Sequence, residues 1–275
     1  MAGVSSESLA AALAALEAKL PTASLQLAKE LFGILGTVDS SAGLRRALTD
    51  PSRSGDEKSA LVKQLFGGKV SADAVEIAAG LASSRWASAR DIGDALETLA
   101  ASVVIAVAEN KSAVSASGLS GLESLENDLF SFNQAVESSH EVQRALSEPQ
   151  ASPAAKVSLA DKLVPGASEE AKVLIGQAVT APRGLKVTRL VRRFAELAAK
   201  RQQRWIATVD VTRPLTETQI SRLQAGLNAL YRRELKINMN VDPALIGGIR
   251  IQVGDEVVDA SVAGRLGQLQ RQLAG

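Results

Sequence analysis

"LRRALTDPSRSGDEKSALVKQLFGG" (Leu44–Gly68) and "VQRALSEPQASPAAKVSLADKLVPG" (Val142–Gly166) align without a gap at an offset of 98 residues. Arg46, Ala47, Leu48, Pro51, Ser54 and Lys58 meet Arg144, Ala145, Leu146, Pro149, Ser152 and Lys156. Leu61, Leu65 and Gly68 then meet Leu159, Leu163 and Gly166, and the register runs on through Val75, Ile77, Arg85 and Leu99 against Val173, Ile175, Arg183 and Leu197. A match held this long marks a duplicated unit. Two copies at so long a period do not make a solenoid.

Each copy reads as helix, proline stop, helix. Pro51 and Pro149 cannot continue a helix and bias the preceding residue away from the α region. The serines that follow supply N-caps. Lys58, Leu61, Val62 and Leu65 then recur at helical spacing and give one apolar face. Outward from the repeat the pattern persists. Leu9, Leu13, Leu16 and Leu20 form one stripe, and Leu122, Leu125, Leu129, Phe132 and Val136 another. Such stripes are bundle-core positions or grooves for a partner helix, and periodicity alone does not separate the two.

Near the end the period changes from helical to alternating. In "RWIATVDV", Trp205, Ala207, Val209 and Val211 share a face, which predicts a strand. Thr216 and Gln219 form a capping box ahead of a helix whose apolar face is Ile220, Leu223, Leu227, Leu230 and Tyr231. Ile237, Met239 and Val241 alternate again, and Pro243 ends the run. Gly247-Gly248 leads into Ile249, Ile251 and Val253. Gly254-Asp255 suits a two-residue hairpin turn. Asp259 or Ser261 can cap a last helix carrying Val262, Leu266, Leu269 and Leu273. The expected fold class is mainly α: duplicated helical-bundle units, then a small C-terminal α/β domain. The expected domains are residues 1–105, an extra helical copy; 106–200, a second helical bundle; and 201–275, the α/β domain.

Composition narrows the chemistry. The 275 residues contain no cysteine and a single histidine, His140, so thiolate metal sites, disulfides and cysteine nucleophiles are excluded. His140 reads as a partly exposed helix residue. No phosphate-binding loop is present: Lys63, not glycine, stands five before Gly68. Gly247-Gly248 enters a strand, whereas a dinucleotide loop follows one and opens a helix. No run reaches the roughly 18 apolar residues of a membrane span, and the start lacks the features of a signal peptide. The chain is therefore expected to be soluble by itself. Charge is polarised: residues 183–275 carry 16 basic and 8 acidic residues, against 5 and 10 in residues 106–182. Arg183–Arg204 alone holds eight basic residues and one acid, Glu196. Three readings remain for that segment: a nucleic-acid-binding strip, a solvated helix face, or a site for an acidic protein. Aromatic residues for base stacking are scarce there. Asp255, Glu256 and Asp259 leave room for a small carboxylate enzyme, although a turn and a cap account for them as well.

The stretch "DPALIGGIRIQVGDEVVDASVAGRL" (Asp242–Leu266) resembles the C-terminal signature of the ATP synthase delta subunit family, called the oligomycin-sensitivity-conferring protein in mitochondria. Asp242, Pro243, Leu245, Ile246, Gly247, Gly248, Gly254, Asp255, Val257, Asp259, Ser261, Arg265 and Leu266 carry the likeness. Ala260 stands where the family usually has glycine. The resemblance covers roughly residues 100–275, and the extra copy before it is similar to the enlarged delta subunits of actinobacteria. It implies a non-catalytic peripheral-stalk (stator) subunit without a cofactor. Its implied place is the cytoplasmic side of the cell membrane, as a peripheral part of the F-type complex, with no direct membrane span and no nucleic acid. The implied partners are the N-terminal helices of the alpha subunits, for residues 106–200, and the C-terminal region of b, for 201–275.

Overall fold

The structure is a computed structural model. It describes residues 3–111, 121–203, 206–231, 235–242, 245, 248–253 and 256–259. The chain divides into two compact units, Met1–Ala198 and Ala199–Gly275.

The first unit is helical. Its elements are α1 (Val4–Glu17), a 3-10 turn (Leu20–Thr22), α2 (Leu25–Ser40), α3 (Ala42–Thr49), α4 (Gly55–Phe66), α5 (Ala72–Ser83) and α6 (Asp91–Asn110). There follow α7 (Gly121–Glu137), α8 (His140–Ser147), α9 (Pro153–Leu163), α10 (Glu169–Thr180) and α11 (Val187–Gln203), the last of which runs past the unit's end. Serine begins most of them. Ser24, Ser41, Ser54, Ser71, Ser139, Ser152 and Ser168 each accept the backbone N–H three residues on. That satisfies one of the donors a helix start leaves open. Pro51 and Pro149 fall just after α3 and α8, where the sequence puts the stops.

A single apolar cluster runs from Leu16 to Ala198, so the two copies of the repeat share one core. Its centre is α6, apolar around most of its circumference from Ile92 to Ala108. A helix of that kind needs neighbours on all sides, and α1, α2, α5, α7 and α10 supply them. The run Leu99–Ala108, the most membrane-like in the chain, is the interior of this bundle. Among the described residues no helix is long and apolar enough to cross a membrane. The leucine stripe of α7 is buried at every position, Leu122, Leu125, Leu129, Phe132 and Val136.

The gap-free register does not survive past the glycines. α3 and α4 keep the 98-residue offset to α8 and α9, and Ser54 and Ser152 cap equivalent helices. The next caps, Ser71 and Ser168, are 97 apart. The buried pairs shift with them: Ala74, Ala78, Leu81 and Ala82 correspond to Ala171, Ile175, Ala178 and Val179. The second copy has one residue fewer between its two caps, and burial follows the caps rather than the identities.

The second unit holds β1 (Ile206–Val211), α12 (Glu217–Tyr231), β2 (Lys236–Val241), β3 (Ile249–Val253) and β4 (Glu256–Asp259). The sheet order is β2-β1-β3-β4. β1 and β2 are parallel and joined through α12, while β1–β3 and β3–β4 are antiparallel. Parallel neighbours require such a crossover. Ala207, Val209 and Val211 are buried together with Leu227, Leu235 and Val253. Thr216 and Gln219 form the expected reciprocal box, with Gln219 Oε1 accepting the Thr216 N–H at 2.9 Å. One position departs from the expected face of α12. Leu230 is 70% exposed, because Tyr231, one full turn after Leu227, takes the core side.

Candidate functional site

The signature residues Asp242, Gly248 and Asp259 are among the described residues, and they lie at the ends of strands. Asp242 directly follows β2, and its N–H donates to the Val211 carbonyl at 2.9 Å. Its own carbonyl accepts from Leu245 N–H at 3.2 Å, so the chain turns as it leaves the strand. Gly248 has φ 88°, a left-handed conformation that favours glycine, immediately before β3 begins. β3 and β4 pair with Val253 opposite Glu256, as the hairpin reading expects. Asp259 is the last residue of β4, opposite Arg250. Pro243, Gly247, Gly254, Asp255, Ser261, Arg265 and Leu266 lie outside the described residues, as does the expected last helix.

Nothing in the described part of this segment is arranged for bond chemistry. Glu256 accepts the Tyr231 hydroxyl at 2.9 Å. Burial, and then this carboxylate, push the Tyr231 pKa up. Among the described residues no cluster of His, Cys, Asp and Glu could hold a metal ion. His140 is exposed at the first position of α8.

The basic segment is not a free strip. Arg183 lies between α10 and α11, and its side chain is only 9% exposed. Its Nε donates to Asp39 Oδ2 at 2.5 Å and its Nη1 to Asp94 Oδ1 at 2.7 Å, with Glu97 Oε1 at 3.6 Å. Arg193 reaches Glu97 Oε2 at 3.4 Å, and Arg192 meets Glu137 at 3.0 Å. Burial opposes the charge of Arg183, but Asp39, Glu97 and Asp94 outweigh it and hold its pKa up. Burial raises the pKa of Glu97, against the pull of Arg183 and Arg193. At least three of the eight basic residues are thus engaged by carboxylates of the same chain, and the structure gives the nucleic-acid reading no support. No local signal could reveal this, since Asp39 and Asp94 are 144 and 89 residues away from Arg183.

What the helical unit offers instead is grooves. One, of about 340 Å³, runs between α1 and α5 over Ala12, Ala15, Leu16, Ile77 and Gly80. Lys19 crosses it to Asp73 and Glu76 at 2.6 and 2.9 Å. A second, of about 620 Å³, runs between α4 and α5. Small side chains there let another backbone approach closely, as in helix-in-groove recognition. The sheet unit has apolar surface of its own at Leu230, Met239, Val241 and Val257.

The family described as "ATP synthase delta (OSCP) subunit" matches residues 110–273. The chain belongs to that family. A protein of Arthrobacter sp. (strain FB24) named ATP synthase subunit delta is 90% identical over 275 residues, covering 100% of both chains. One of the same name from Streptomyces coelicolor is 38% identical over 278 residues, covering 100% of this chain and 98% of the relative. These relatives extend over residues 1–109, which the family description does not reach. A chain in the solved Toxoplasma gondii mitochondrial ATP synthase hexamer is similar with a TM-score of 0.33 at 19% identity, over 64% of this chain and 95% of that one. The delta/OSCP family member is a stalk part of the F-type enzyme, structural rather than catalytic.

Proposed function

We propose that this delta-family chain joins the catalytic head of an F-type ATP synthase to its peripheral stalk on the cytoplasmic face of the cell membrane. Residues 106–200 engage an N-terminal helix of an alpha subunit, and residues 201–275 engage the C-terminal region of b. Asp242, Pro243, Gly247, Gly248, Gly254, Asp255, Asp259, Ser261, Arg265 and Leu266 shape the b-binding end and take part in no chemistry. The observation that carries this reading is the family match across residues 110–273, which spans both segments. The apolar surface of the sheet unit agrees with a docking role for residues 201–275, whereas the two grooves, lined by residues 11–99, belong to the extra first copy. A stator must resist rotor torque, so its work is done by stiff packing and by two interfaces held at once.

Deleting residues 204–275 tests the division of labour. The shortened chain is expected to keep alpha in a pull-down and to lose b. Retention of b together with loss of alpha contradicts the assignment.

A further inference from the structure

We propose that Arg183 is a positioning residue that keys the α10–α11 turn of the second repeat into a carboxylate socket between α2 and α6 of the first. The inference rests on the helical unit alone and is independent of the stator reading. The socket is Asp39 near the end of α2, with Asp94 and Glu97 on the first turns of α6. Arg183 contacts all three, at 2.5, 2.7 and 3.6 Å.

Three features indicate a built fit. First, Arg183 has φ 50°, a left-handed conformation that strains a side-chain-bearing residue. Its carbonyl is held in that pose by Arg90 Nη2 at 2.7 Å, a contact from the first repeat. Second, the α6 residue beneath the guanidinium is Gly93. A Cβ there would run into Arg183 Nη2 and come within 3.2 Å of Asp39 Oδ1. Third, the two copies differ at this point. With the caps 97 residues apart, the first copy has Trp86 where the second has Arg183; that indole is buried, its Nε1 donating to the Leu81 carbonyl at 2.8 Å, and the neighbouring Arg85 is exposed. The second copy offers no matching socket, because α11 carries a single acid, Glu196, and it too is exposed. The copies have diverged into plug and socket, so the pairing happens once and the array closes at two.

A buried ion cluster is a poor source of net stability, but it specifies register, because any other placement strands charge. A planar guanidinium presents five donors in a rigid fork, a fixed geometry that the compact charge of an ammonium does not reproduce. The key therefore fixes where the second repeat sits on the first.

Hydrogen exchange on the full chain tests this with Arg183→Met, Arg183→Lys, the socket variant Asp39→Asn and the double variant Arg183→Met/Asp39→Asn. Arg183→Met is expected to speed exchange at least tenfold in segments 34–40, 90–97 and 181–187, leaving α8, α9 and the sheet unit unchanged. Arg183→Lys restores part of the protection. The double variant exchanges no faster than Arg183→Met alone, since both changes break the same key. Rates within twofold of the parent in Arg183→Met, or plug and socket effects that multiply, overturn the proposal. Protection lost evenly over the whole helical unit in both Arg183→Met and Asp39→Asn also overturns it, since that marks a general fold contact.

Discussion

α4 and α9 hold the same place in the two repeats, yet they are built differently. α4 opens with a full capping box: Ser54 Oγ accepts from Glu57 N–H at 3.2 Å and Glu57 Oε2 from Ser54 N–H at 2.9 Å. It buries Lys58, Val62 and Phe66. α9 opens on a serine cap and Pro153, with alanine where Glu57 stands, and buries only Ala160. Lys58 is 3% exposed and donates to the Ser84 carbonyl at 2.9 Å, while its counterpart Lys156 is half-buried. The first copy closes its helices more tightly around charge, and it also supplies the socket for Arg183. Duplication preserved the helix plan, and side-chain pairing then gave the two copies different tasks.

Gly93→Ala should damage this arrangement most. The added methyl displaces the Arg183 guanidinium and leaves the buried Glu97 and the partly buried Asp39 and Asp94 short of a partner, a loss of about 3 kcal/mol. The thermal midpoint of the helical unit should fall by roughly 6–12 °C. A midpoint unchanged in a differential scan would show that the socket has room to spare.

The caps give the next effect. Ser54→Ala removes one side of a reciprocal pair and should cost about 1 kcal/mol. Ser152→Ala should cost less, since no glutamate reciprocates there and Pro153 already fixes the first turn. Urea midpoints of the two variants check the order, and equal losses would mean the box adds nothing in α4.

The smallest effect concerns pH. Burial, and then repulsion from Arg85, hold the Lys58 pKa below its ordinary 10.5. The folded state therefore binds fewer protons than the unfolded state between the lowered value and 10.5, so this group's contribution to stability rises with pH across that window. Lys58→Met should change stability at pH 7 by under about 1 kcal/mol and abolish that alkaline rise. The difference between the two pH profiles is the readout, and parallel profiles would refute the lowered pKa.

Much of this was legible in the residues. Serines ahead of apolar stripes mark helix starts because the cap is local chemistry. Ala207, Val209 and Val211 alternate because a half-buried strand must. The Thr216 and Gln219 box and the strand entry at Gly248 fall where the sequence puts them. Position in space was harder to read. A one-residue difference between the caps moved the burial pattern off the gap-free alignment, because identities such as Val75 with Val173 outlast the register that created them. Leu230 reads as core by spacing, yet Tyr231 takes the place. Arg183 reads as the first charge of a basic strip, and only the fold brings Asp39 and Asp94 to it. Charge counts along a chain report composition, whereas the availability of that charge is a tertiary property.

The central claim, that this delta-family chain bridges head and stalk, is tested most directly by reconstitution. Membranes stripped of the catalytic head and of this subunit are mixed with purified head, with and without the full chain, and bound ATPase activity is measured after sedimentation. The account predicts that the head returns to the membrane and supports proton pumping only when the chain is present. Equal rebinding and pumping without it would contradict the account.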